Sequence, residues 1–155
     1  MTYVVHSDVN QEEATSFFMT DTKLALMSLD DADLATLVND EVFPLDARAF
    51  SVRNDDDELC AIIKYDYFTR QSINIHLYVK RRFHHTAEPK EIVKVVKHHI
   101  KNQLHINKLL LILPAPCTHV IGFAKKVGFE KEAVMKNSYI WRQQLVDLIV
   151  YGIEI

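Results

Sequence analysis

Phe123-Ala124-Lys125-Lys126-Val127-Gly128-Phe129-Glu130 joins a helix to a strand through one of only three glycines in 155 residues. Upstream, Val120, Ile121, Phe123, Ala124 and Val127 recur at the spacing of a helical face. Gly128 supplies the residue most at ease in the left-handed conformation that closes a helix. From Phe129 the helical period is lost, and a run of strand formers follows. The helix is therefore expected to pack on a sheet that the next strand helps to complete.

Around this junction the chain divides into recognisable elements. Residues 132–142 and 145–155 read as two closing strands with their turn near Gln143-Gln144, and Leu109-Leu110-Leu111-Ile112-Leu113 is the apolar run of a buried strand over 108–114. Pro89 opens a helix reaching about Leu104, with Ile92, Val93, Val96 and Ile100 inward and Lys90, Lys94, Lys97 and Lys101 outward. Residues 72–79 alternate cleanly, placing Ile73, Ile75, Leu77 and Val79 on one face and Asn74, His76 and Tyr78 on the other. Residues 49–53 and 59–65 form two strands around the acidic turn Asn54-Asp55-Asp56-Asp57-Glu58. Nearer the start, residues 2–6 read as a short strand. Asn10-Gln11-Glu12-Glu13 opens a helix running through Phe18 towards Leu26, and a second helix over 28–43 stops at Pro44.

The sequence has 48% hydrophobic residues and the length of a single domain, 1–155. It has no apolar stretch of the roughly 20 residues that a spanning helix needs and no basic-then-apolar leader, so a soluble, cytoplasmic protein without membrane contact is expected. Cys60 and Cys117 suggest two reduced thiols instead of a disulfide framework. The net charge of -3 conceals a split. Residues 1–60 hold 14 acidic and 3 basic side chains, whereas residues 61–155 hold 7 and 15. Eight Lys and Arg against two Glu lie within 80–108, a concentration of charge that attracts phosphate.

The order strand, two helices, three antiparallel strands, helix, strand, helix, two strands resembles the GNAT N-acetyltransferase superfamily. Two stretches carry the likeness: the strand Ile73-Asn74-Ile75-His76-Leu77-Tyr78-Val79 leading into a basic loop and long helix, and the ending Ala124-Lys125-Lys126-Val127-Gly128-Phe129-Glu130-Lys131-Glu132-Ala133. The resemblance implies an α/β (α+β) fold: one GNAT-like domain with a mixed, mostly antiparallel sheet of about seven strands and about four helices. It further implies acetyl-CoA as substrate, held between strand 72–79 and the parallel strand 108–113, with transfer to an amine acceptor.

By that resemblance, the backbone of Leu77 and Val79 meets the pantetheine arm. The turn Arg81, Arg82, Phe83, His84, His85 and Thr86 meets the pyrophosphate, and Cys117 stands where family members commonly have an Asn contacting the cofactor. His76 and Tyr78 are the catalytic candidates, with His76 as the base that takes a proton from the amine because its ordinary pKa lies near neutrality. Two positions depart from the family pattern. The phosphate turn has no glycine between Val79 and Pro89, and Ala124 stands where a Tyr often serves as acid. Either side chains replace backbone amides as phosphate ligands, or the site has been lost. Tyr139 and Tyr151 are further sources of a hydroxyl.

No metal site is expected: His84-His85 and His98-His99 lack zincin spacing, and the Asp55 to Glu58 run lacks the spacing and glycine of a calcium loop. Cys117 and His119, two apart on a helix, do not form a nucleophile and base. The basic row lacks an accompanying nucleic-acid motif, so nucleic acid is not an expected partner. The alternative reading is a catalytically silent GNAT-shaped binding or assembly protein with protein partners, of the kind found in bacteriophage virions.

Overall fold

Gly128 has φ of +101°, Phe129 N–H donates to the Ala124 carbonyl at 2.9 Å, and Gly128 N–H donates to Lys125 at 3.1 Å. These are the two bonds of a Schellman closure, which satisfy carbonyls that the helix end would leave bare. The computed structural model describes residues 1–20, 48–83 and 88–155. The chain runs β1 (Tyr3–His6), α1 (Gln11–Thr20), β2 (Ala49–Asn54), β3 (Leu59–Tyr67), β4 (Ser72–Val79), a 3-10 turn (Arg81–Phe83), α2 (Glu88–His99), a π turn (Ile100–Leu104), β5 (Lys108–Pro114), α3 (Thr118–Lys126), β6 (Glu130–Trp141) and β7 (Gln144–Glu154). The helix expected over 28–43 lies outside the described residues, as does the stretch from Asp21 towards Leu26.

All seven strands join one sheet in the order β1-β2-β3-β4-β5-β7-β6, with β4 and β5 its parallel pair. Together with three α-helices among the described residues, this is the mixed α/β sheet expected from the sequence. The main core lies on one face, where Ile92, Val96, Ile100, Ala124 and Phe129 meet Ile63, Ile73, Ile75, Val79, Leu109, Leu111 and Tyr151. A smaller cluster covers the opposite face: Ala14, Phe17 and Phe18 of α1 with Leu59, Ile62 and Tyr78. Burying β4 on both faces explains why Tyr78, on its polar-looking side, is only 6% exposed. Asn10 caps α1 by accepting the N–H groups of Glu12 at 2.9 Å and Glu13 at 3.2 Å.

The helical run reaches Leu104 as expected, but changes from α to π geometry after His99 and is closed by His105 at φ of +54°. One boundary differs from expectation. The closing hairpin turns on Arg142 and Gln143, both with positive φ, one residue earlier than expected. A two-residue loop of that handedness matches the twist of its strands.

Candidate functional site

The parallel pairing of β4 with β5 is short. Ser72 pairs with Lys108, Ile73 with Leu109 and Asn74 with Leu110, and there the register stops. On its other side β4 stays paired with β3 as far as Ala61↔Val79, and β5 stays paired with β7 as far as Pro114↔Leu148. Residues 75–79 and 111–114 therefore border a wedge-shaped gap opening towards the carboxyl ends of both strands. A gap in a sheet exposes alternate backbone amides and carbonyls that a ladder would otherwise consume.

His76 stands on β4 just beyond the apex of this gap, on the face covered by α1. Its position opposite Lys64 follows from the β3–β4 register, which also sets Asp66 opposite Asn74. The Asn74 Nδ2 lies 3.4 Å from His76 Nε2. The imidazole lies nearly parallel to the Tyr78 ring, with centroids 6.4 Å apart and planes 8° apart. Burial pushes the His76 pKa below its ordinary value, Lys64 lowers it further, and Asp66 opposes the shift. At neutral pH the ring is therefore uncharged and carries a lone pair.

Tyr78 is buried edge-on against Phe18 of α1 at 4.9 Å, so its ring is a packing platform for His76. Leu77 and Val79 turn their side chains into the main core, Val79 buried and Leu77 partly so. The backbone of both lies in the segment bordering the gap.

At the open end, Arg81 is exposed, whereas Arg82 pairs with Glu58 and lies over the Phe83 ring with its guanidinium carbon 4.7 Å from the centroid. Lys80 reaches the other oxygen of Glu58 at 3.4 Å. The Phe83 side chain is 4% exposed and packs within the main core. His84, His85 and Thr86 lie outside the described residues. Cys117 occupies the N-cap position of α3, half-buried, and burial raises its thiol pKa with Arg142 opposing. It is a thiol at neutral pH, not a thiolate.

Ala124 is fully buried in the main core, so no acid stands at that helical position. Tyr151 is buried in the same core, whereas Tyr139 is half-exposed on β6. Sequence reasoning missed Glu58, Lys64, Asp66 and Asn74. The signal for three of them was the alternation on β3 and β4, which needed the hairpin register to become spatial. Among the described residues, no group of three His, Cys, Asp or Glu is placed to hold a metal ion.

An open depression of about 410 Å³ lies at the closed end of the β4–β5 pair, away from the gap. Its polar groups bond one another. Asn107 Nδ2 donates to Gln71 Oε1, Asn107 and Lys108 N–H donate to the Gln71 carbonyl, and the Thr69 and Ser72 hydroxyls lie 2.7 Å apart. Lys108 and Glu154 also line it, with Lys108 paired to Glu132 at 2.7 Å.

A family model described as an acetyltransferase (GNAT) domain matches residues 32–150. No curated protein sequence matches significantly. Among solved structures, an acetyltransferase of that family from Bacillus anthracis superposes with a TM-score of 0.76 at 13% identity, over 99% of this chain and 95% of that one. A spermidine N-acetyltransferase from Vibrio cholerae, solved with CoA and spermine, gives 0.75 at 10% identity, over 99% and 95%. A ribosomal-protein-S5-alanine acetyltransferase from Vibrio fischeri gives 0.72 at 12%, over 99% and 93%.

Proposed function

The chain belongs to the GNAT acetyltransferase family, and on that premise we propose that it transfers the acetyl group of acetyl-CoA directly to an amine. The observation that carries this reading is the β4–β5 gap beginning after Asn74↔Leu110, with a neutral histidine beside its apex. The gap fits a pantetheine arm because that arm is extended and offers amides to unpaired strand backbone. Arg81 and its neighbours supply cationic side chains for the pyrophosphate in place of a glycine-rich turn.

The thioester supplies an activated acetyl carbon. The ammonium of the acceptor first gives one proton to His76; the neutral nitrogen then bonds to that carbon, the carbon–sulfur bond breaks, and the second proton shed by nitrogen is balanced by the one that sulfur takes from solvent. With Ala124 in the core, this chain provides no tyrosine acid there for the sulfur, and a thiolate is a good enough leaving group to depart without one.

The acceptor in this reading is a cationic amine or the amine of a basic protein. Support comes from the acidic first 60 residues, whose net charge is -11, and from the spermine bound by the structurally similar Vibrio cholerae enzyme. The test is thiol release from acetyl-CoA with spermidine and, separately, a lysine-rich peptide. The reading expects acceptor-dependent release that His76→Ala lowers by about 10²-fold or more, the usual size of a general-base contribution. Undiminished turnover in His76→Ala would remove His76 as the base.

A further inference from the structure

Asn74 sits at the last β4–β5 pair and turns its side chain to the α1 face, where Nδ2 approaches His76 Nε2 at 3.4 Å. Its other polar atom, Oδ1, is sealed from solvent and has no hydrogen-bond partner among the described residues. A buried amide oxygen without a donor is costly and uncommon, so this atom calls for an explanation. The reverse orientation of the amide would bury two unpaired N–H hydrogens in its place, and orphaned donors are rarer than orphaned carbonyls.

We infer that Asn74 is a positioning residue whose amide sets the tautomer of His76 and turns over when His76 takes up a proton. With the amide oriented as found, Nδ2 faces Nε2, an arrangement that is a hydrogen bond only when Nε2 carries the lone pair and the ring proton is on Nδ1. A proton arriving at Nε2 would face the Asn74 NH2 group. Rotation of the amide removes that clash and brings Oδ1 onto Nε2–H, converting the orphaned oxygen into a charge-assisted acceptor. The donor contact at 3.4 Å is long enough to steer the ring without locking it.

The other charged groups near the imidazole among the described residues are Lys64 and Asp66 on β3. From α1, the residues packed towards this face are Ala14, Phe17 and Phe18, and Glu13 is paired with Arg53. Among the described residues, the Asn74 amide is a neutral group at the ring nitrogen able to answer a change of charge on it. The functional consequence rests on His76 being the base, but the coupling itself does not.

Nitrogen-15 NMR of the full chain, without any acyl donor, tests the coupling directly. In the wild type, His76 should be the Nδ1–H tautomer at neutral pH, and the Asn74 side-chain NH2 signals should move with the same midpoint as His76. Asn74→Asp should raise that midpoint by about one unit or more, as a carboxylate beside an imidazole does, and Asn74→Leu should give mixed tautomers. Should either variant fail to fold, the coincidence of the two wild-type midpoints still decides. Asn74 signals indifferent to His76, or a midpoint and tautomer unchanged in both variants, would overturn the inference. Failure of acetyl transfer would leave these results standing, so the two proposals fail separately.

Discussion

A histidine can act as a base only while it is neutral, and the site around His76 is built to keep it so. Because its pKa is lowered in the folded chain, the sign of two pH effects follows. The acid limb of kcat/KM for the acetyl transfer should fall below the ordinary histidine value of about 6.5, with a flat profile through neutrality. A limb above that value would contradict this environment. For stability, protonation favours the unfolded chain, so His76's contribution is complete above its unfolded pKa and is lost progressively as pH falls from there through the lowered folded pKa. Denaturant titrations of wild type and His76→Gln from pH 7.5 to 5 should converge towards the acid end.

Glu58 gives a second prediction at this scale, because its carboxylate holds both Lys80 and Arg82. Glu58→Gln releases two cations at the open end of the gap, where the proposed cofactor's pyrophosphate would lie. Affinity for acetyl-CoA should rise several-fold at low salt, and the gain should fade as ionic strength increases. Weaker binding would show instead that Glu58 orients those cations productively. Glu58 did not stand out in the sequence, since its partners Lys80 and Arg82 lie across a hairpin whose register local residues do not fix, whereas Asn74 shares a face of β4 with His76 and was passed over because alternation marks a face without marking a role. An aromatic among arginines reads alike as a ligand or as a core residue with cations over it, and the Phe83 side chain lies in the core with Arg82 over its ring.

Elements were more legible than their contacts. β4 and β5 lie at their expected bounds because strict alternation and an unbroken apolar run are both distinctive patterns. α2 was harder to bound. Apolar spacing continues through Ile100 and Leu104, yet the backbone widens into a π turn there, a change that periodicity does not record. The end of α3 was legible in full, since Gly128 announced a left-handed closure. A Cβ at Gly128 would meet Ile153 Cδ1 at 3.2 Å, besides straining a φ of +101°. Gly128→Ala should therefore cost about 1–2 kcal/mol, lowering the thermal midpoint by roughly 2–8 °C for a chain of this size. An unchanged midpoint would mean that the closure can be rebuilt without glycine.

At the scale of the molecule, the gap between β4 and β5 is the feature that local sequence cannot show. It depends on where two strands, separated by α2, sit sideways to one another, and only the resemblance carried by residues 72–79 and 124–133 pointed to it. The charge split is likewise a whole-chain property. It supports a cationic acceptor without naming one, and it leaves the gap as the principal test. Isothermal titration of the full chain with acetyl-CoA addresses that gap most directly. The account predicts one site per chain, weakened about tenfold or more when Arg81→Ala and Arg82→Ala are combined in a folded protein. Absence of binding at millimolar acetyl-CoA would contradict it and favour a chain that keeps the fold without the reaction.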